Sequence, residues 1–222
     1  MARTTVVLYR MADLFHFMES GRLVVPSFQR AYVWTKEAAR QLFVSVNRGY
    51  PIGVIIAAEH AAEYFNASPS DMSLFPTPRG QARESARRLW LIDGSQRMAA
   101  LYNGCFGLHE SFVLLYELRR REFLFPEQAL QSAPLLKMSS LFNAKELMSL
   151  QARLASTRGG ESLLTELNGI RDRFYSYSVP MLIVEDFEDS EIVDIFTRMN
   201  SSGVSLTKKE LAHARRYTSR KD

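Results

Sequence analysis

The stretch Trp90-Leu91-Ile92-Asp93-Gly94-Ser95-Gln96-Arg97-Met98-Ala99-Ala100 decides how the rest of the chain is read. Leu89 to Ile92 is a short apolar run of the kind that forms a buried strand. Asp93-Gly94 is a turn pair, and the pattern from Ser95 to about Phe106 is helical. A strand, a glycine turn and a helix N-terminus in that order make an anion site. The first helical N–H groups lack partners within the helix, the helix dipole is positive there, and glycine lets a ligand approach the backbone. Arg97 falls in the first turn, where the dipole disfavours a cation. Its presence there points to a phosphate or carboxylate partner.

Elements on both sides follow from the same periodicities. Leu8 to Ser20 reads as an amphipathic helix stopped by Gly21, and Leu23 to Val25 as a short strand closed by Pro26. A polar-aromatic loop, Ser27 to Trp34, leads to Thr35, which caps a helix running to about Arg48. Ile52 to Ala58 is rich in β-branched residues and reads as a second strand. His60 to Arg88 holds three of the eight prolines and little periodicity, so it reads as a loop or surface insertion. Beyond the opening stretch, Phe112 to Leu118 and Glu122 to Phe125 suit a hairpin around three arginines. Pro134 to about Tyr177 reads as mostly helical, broken at Gly159-Gly160, and Val179 to Val184 as a strand. Ser190 caps a further helix that runs into a sharp turn at Asn200 to Gly203, and Thr207 caps a last one. Alternating strands and helices predict an α/β (α+β) sheet domain spanning residues 1–222, with a helical insertion at about 127–174.

Composition sets the outer limits. A chain of 222 residues that is 46% hydrophobic can bury a sizeable core. Its single cysteine, Cys105, excludes an intrachain disulfide and a Cys-based zinc site, as fits a reducing cytoplasm. The first ten residues have no long apolar run of the signal-peptide kind, and no stretch is apolar enough for a membrane span. The formal net charge is +4, and 22 of the 28 cations are arginine. Arginine grips phosphate in a bidentate fork, which suits a nucleotide or nucleic-acid partner; an arginine-rich codon bias accounts for the count equally well. His16, His60, His109 and His213 show no metal-ligand spacing. No His-Asn-His nuclease constellation or nucleophile elbow is present.

Four motifs occur in order: Phe28-Gln29-Arg30-x-Tyr32-x-Trp34, Tyr50-Pro51-Ile52-Gly53, Ile92-Asp93-Gly94-Ser95-Gln96-Arg97, and Phe196-x-Arg198-x-Asn200-x-x-Gly203-x-x-Leu206. Together they resemble the N-terminal domain of GmrSD-type restriction endonucleases, from about Phe15 to about Ala212. That family is grouped with ParB/sulfiredoxin-like folds, which implies a small mixed sheet flanked by helices. Its signature is Asp-Gly-Gln-Gln-Arg; Ser95 stands where the family has the first glutamine. Gly94-x-x-Arg97-x-x-Ala100 is also similar to the phosphate motif of the CTP-hydrolysing ParB proteins. The resemblance implies nucleotide binding and hydrolysis in a phage-defence protein. It also implies a DNA-cutting effector domain, often of the HNH type, outside this chain.

These readings assign a candidate site. Asp93, Gln96 and Arg97 are the candidate catalytic residues of a nucleoside triphosphatase. Asp93 would act on Mg2+ through water or orient an attacking water; it serves equally as a plain helix cap. Gln96 would position water or a phosphate oxygen, or else bond the sheet edge. Gln29, Arg30, Gly94, Ser95, Arg97, Asn200 and Gly203 are the candidate phosphate-binding residues. Tyr32 and Trp34 offer stacking faces for a base, or anchor a loop in the core. Arg198 faces either the pocket or solvent. The expected partners are a nucleoside triphosphate and, in the full protein or complex, DNA. The competing reading is a DNA-recognition module without catalysis, using the same cleft.

Overall fold

The computed structural model describes residues 2–61, 65–69, 73–77, 87–107, 109, 112–130 and 132–200. These residues form two compact units. The first holds residues 2–33, 53–99 and 178–200; the second holds 34–52 and 100–177.

The first unit is built on a five-stranded mixed sheet. Its strands are β1 (Arg3–Arg10), β2 (Leu23–Val24), β3 (Ile55–Ala61), β4 (Arg87–Asp93) and β8 (Ser178–Glu185), in the order β1-β8-β3-β4-β2. β1–β8 and β3–β4 are antiparallel, whereas β3–β8 and β2–β4 are parallel. Helix α1 (Met11–Glu19) packs on β1 and β2. Helix α6 (Asp189–Asn200) packs on β4. It places Ile192, Val193 and Phe196 on a core of Val24, Phe28, Ile56, Ala58, Phe65, Trp90, Ile92 and Val184. Phe28 meets Phe65 and Phe196 edge-on at ring-centroid distances of 5.3 and 5.2 Å, the arrangement aromatic quadrupoles favour.

The helix expected from Leu8 begins instead at Met11. Its buried residues Met11, Leu14, Phe15 and Met18 keep the i, i+3, i+4, i+7 period. Leu8 belongs to β1, which pairs with β8 along its full length, from Arg3 opposite Glu185 to Arg10 opposite Ser178. β1 is an edge strand whose Val6 and Leu8 are exposed while Val7 and Tyr9 are half-buried, so apolar residues on both faces hide the alternation that marks a strand in sequence. The second expected strand lies three residues later than Ile52 to Ala58. The edges of the expected 60–88 loop are strand: β3 reaches Ala61 and β4 begins at Arg87. The helix expected after Thr207 and the turn residue Gly203 lie outside the described residues.

The second unit contains helix α2 (Lys36–Asn47), a three-stranded antiparallel sheet and two further helices. Thr35 Oγ1 caps α2 by accepting from Ala38 N–H at 3.1 Å. The sheet orders β6 (Glu122–Leu124), β5 (Leu115–Glu117) and β7 (Leu135–Lys137), so the expected hairpin forms, shorter than expected. β7 falls within a stretch read as helical. The helices of that stretch are α4 (Ala144–Ala155) and α5 (Gly160–Ser176), separated at Gly159. Phe43, Tyr116, Phe123 and Phe174 pack in the core with tilted or edge-on rings. Beside them buried Glu166 accepts from Tyr116 Oη at 2.9 Å and pairs with Arg173 and Arg121, each at 2.7 Å.

Candidate functional site

β4 ends at Asp93, and α3 (Ser95–Phe106) begins one residue later, so Gly94 alone makes the turn. Its φ of +97° lies in the region that side-chain-bearing residues rarely adopt. The strand-turn-helix order therefore forms where the sequence placed it. The register between β3 and β4 shifts just before the turn. Ile56 faces Asp93 but Ala57 faces Leu91, so Ile92 is an extra residue on β4. A bulge of this kind leaves one residue out of the ladder and re-aims the strand end.

Gln29 is built around that bulge. It is buried, at 7% exposure. Its Nε2 donates to the carbonyl of Leu91 and, at 3.3 Å, to that of Ile92. Its Oε1 accepts from Ser95 Oγ at 2.6 Å. One side chain thus joins the loop to the strand end and the helix start. Gln96 makes a second tie: its Oε1 accepts from Val33 N–H at 2.8 Å and its Nε2 donates to the Ala31 carbonyl at 3.2 Å. Gln29, Ser95 and Gln96, all expected near phosphate, fix the 29–33 loop against the turn by hydrogen bonds.

Arg97 has a carboxylate partner within the chain. Its Nη2 donates to Asp93 Oδ2 at 2.7 Å and to the Val54 carbonyl at 3.0 Å. Asp93 precedes the helix and Arg97 lies in its first turn, so this i, i+4 pair brackets Gly94. The side chains are 15% exposed for Arg97 and 35% for Asp93. A pair this accessible contributes on the order of 1 kcal/mol; its larger effect is to fix where the guanidinium stands. Two glycines leave the room for it. A Cβ on Gly53, at φ +87°, would collide with Arg97 Nη1, and one on Gly94 would collide with Ile55 and stand 3.3 Å from Arg97 Nη2. Gly53 belongs to the quoted Tyr50-Pro51-Ile52-Gly53 motif, but sequence reasoning gave it no role. Its signal would have been a glycine opposite an arginine that needs space.

The remaining candidates divide. Arg30 and Tyr32 are half-buried in the tied loop. The Tyr32 hydroxyl is shut away from solvent, and burial pushes its pKa up, which fits an anchor better than an open stacking face. Trp34 belongs to the second unit. Asn200 closes α6. Arg198 is exposed and paired with Asp194 at 2.8 Å, so it takes the solvent side. Among the described residues no group of three His, Cys, Asp or Glu is placed to hold a metal. No helix of those residues is long and apolar enough to cross a membrane.

The site therefore combines a positive-φ glycine turn at a helix start with an arginine anchored beside it. No curated protein matches the chain in sequence. The family model for the GmrSD restriction endonuclease N-terminal domain matches residues 11–217. That span takes in the bulged strand, the glycine turn, the tied loop and the Gly53 approach. The chain belongs to the GmrSD restriction endonuclease N-terminal domain family, which makes it part of a restriction and phage-defence protein.

Proposed function

We propose that this domain binds a nucleoside triphosphate through its phosphates at the β4–α3 turn and hydrolyses it. The observation that carries the reading is Arg97. Its guanidinium is held by Asp93 and the Val54 carbonyl beside a helix N-terminus, with glycines at Gly53 and Gly94 around it. A charge fixed before the ligand arrives needs little reorganisation as negative charge develops in the transition state. Arg97 would present its fixed positive charge to a phosphate, and the N–H groups at the start of α3 would meet phosphate oxygens. Arg30 would form a second wall. Gln29, Ser95 and Gln96 would hold the turn in shape.

Asp93 is the candidate for handling water. Arg97 occupies its Oδ2, while its Oδ1 has no partner among the described residues. One carboxylate plus substrate phosphates is an ordinary set for Mg2+, so Asp93 fits that ion only together with a nucleotide. Bound there, Mg2+ would neutralise phosphate charge.

The test is triphosphate hydrolysis with Mg2+ by wild type, Asp93→Ala, Arg97→Ala and Arg97→Lys. Arg97→Lys keeps the charge and loses the planar guanidinium that Asp93 and the Val54 carbonyl hold in place. Both alanine variants should lose about 100-fold or more in kcat/KM, the range for removing one transition-state donor. Arg97→Lys should fall between them and wild type. Equal rates in all four, with folding intact by circular dichroism, would reject the assignment. A thermal-shift panel of triphosphates identifies the nucleotide, since a ligand at 100 times its Kd stabilises by about 2.7 kcal/mol.

A further inference from the structure

The second unit carries a basic groove whose lining includes none of the residues assigned above. Two clefts of about 500 and 510 Å3 adjoin each other and share Leu135, Lys137, Leu150 and Arg153. Arg119 lines one and Lys145 the other, so four exposed cations border one continuous depression. None of the four is in an ion pair among the described residues. Leu135 and Leu150 give the floor an apolar strip shared by both clefts.

The cations are ordered along the groove. Lys145, Ser149 and Arg153 fall at i, i+4 and i+8 on α4, so they form one stripe roughly 12 Å long. Arg119 follows β5 and Lys137 ends β7. The acid among the lining residues, Glu146, is engaged locally: Ser140 Oγ donates to it at 2.6 Å and Asn143 Nδ2 at 3.0 Å. The groove starts beside the N-terminus of α4, where the helix dipole adds positive potential.

We infer that this groove binds the phosphate backbone of duplex DNA. An extended, open row of four cations outside ion pairs, set against the single carboxylate of Glu146, suits a chain of phosphates better than one small anion, which an enclosed pocket would hold. The apolar strip suits deoxyribose. The family match names a restriction endonuclease, and the target of such an enzyme is DNA. The inference rests on that membership and not on the nucleotide reading of the β4–α3 turn. It also assigns DNA contact to the second unit and not to the cleft of the competing sequence reading.

Fluorescence anisotropy of a labelled 30-base-pair duplex, titrated with the full chain across a range of NaCl, tests it. Four phosphate contacts give a log–log salt slope of about −3.6, so affinity falls about 100-fold between roughly 50 and 200 mM salt. The double variant Lys145→Gln/Arg153→Gln should shrink the slope by about 2 and bind weakly at low salt. Arg48→Gln, an exposed cation of the same unit outside the groove, should bind as wild type does. Unchanged binding by the double variant would overturn the inference, as would an equal loss in Arg48→Gln. So would absence of DNA binding at 50 mM salt, or capture of the chain by phosphatidylserine vesicles or poly-glutamate in place of DNA. Loss of nucleotide hydrolysis in Asp93→Ala with DNA binding intact separates this proposal from the other.

Discussion

Replacing Gln29 tests the joint on which the candidate site depends. Gln29→Ala removes two donated hydrogen bonds to the Leu91 and Ile92 carbonyls and the acceptor for Ser95 Oγ, at a position only 7% exposed. A buried polar group left unmet costs about 1–3 kcal/mol. Water entering the space left by the side chain offsets part of that, so the net loss should be about 2–4 kcal/mol. For a chain of this length that lowers the thermal midpoint by roughly 5–15 °C. Gln29→Glu keeps the shape but removes the donor. Only the protonated form of the introduced carboxyl can donate to those carbonyls, so its pKa in the folded state lies above the unfolded value of about 4.3. A raised carboxyl pKa means stability fully present below about pH 4.3 and lost as pH rises through the folded-state value. The assay is urea denaturation followed by Trp90 fluorescence in a Trp34→Phe background, which leaves one tryptophan, in the core of the first unit. A loss under about 0.5 kcal/mol for Gln29→Ala, a threshold typical of uninvolved surface sites, would refute the reasoning. A pH-independent Gln29→Glu would do the same.

Two other perturbations follow from the geometry. Gly53→Ala forces a Cβ into the space of Arg97 at φ +87°, while Gly49→Ala carries a similar strain at φ +69° with open space around it. Both should lose about 1 kcal/mol from the backbone, and Gly53→Ala should lose more and also impair triphosphate hydrolysis; equal melting points would remove the contact argument. Burial and the hydrogen bond to Glu166 push the Tyr116 phenol up to about 12. Because its folded value is raised, its contribution to stability is full below pH 10 and declines between pH 10 and 12. Tyr116→Phe should flatten that decline by on the order of 2 kcal/mol, read as urea midpoints at about pH 9 and 11.5, and a decline as steep as the wild type's would count against it.

The opening stretch was legible because it is local. An apolar run, an Asp-Gly pair and a helical period within a dozen residues leave one arrangement, and β4, Gly94 and α3 follow it. Thr35 and Gly159 were legible for the same reason: a cap and a helix break are written within one turn of chain. β1 was not, because this edge strand carries apolar residues on both its half-buried face (Val7, Tyr9) and its exposed face (Val6, Leu8), which hides the alternation. β7 was missed because three residues are too few for a period.

The partner of Arg97 marks the boundary between the two kinds of information. Sequence limited it to phosphate or carboxylate, since a cation in a first helical turn needs an anion. Only the folded chain selected Asp93, because a single-residue turn at Gly94 brings the end of β4 back to the first turn of α3. Gln29 is the stronger case: it reaches carbonyls 62 and 63 residues away, and those carbonyls need it because of a bulge set by pairing with β3. Sequence by itself determined which segments are strand, turn and helix around the site and which residue types gather there. The tertiary structure decided which of them hold the turn and which stand beside it, because hydrogen-bond partners distant in sequence are set by sheet register and not by local propensity.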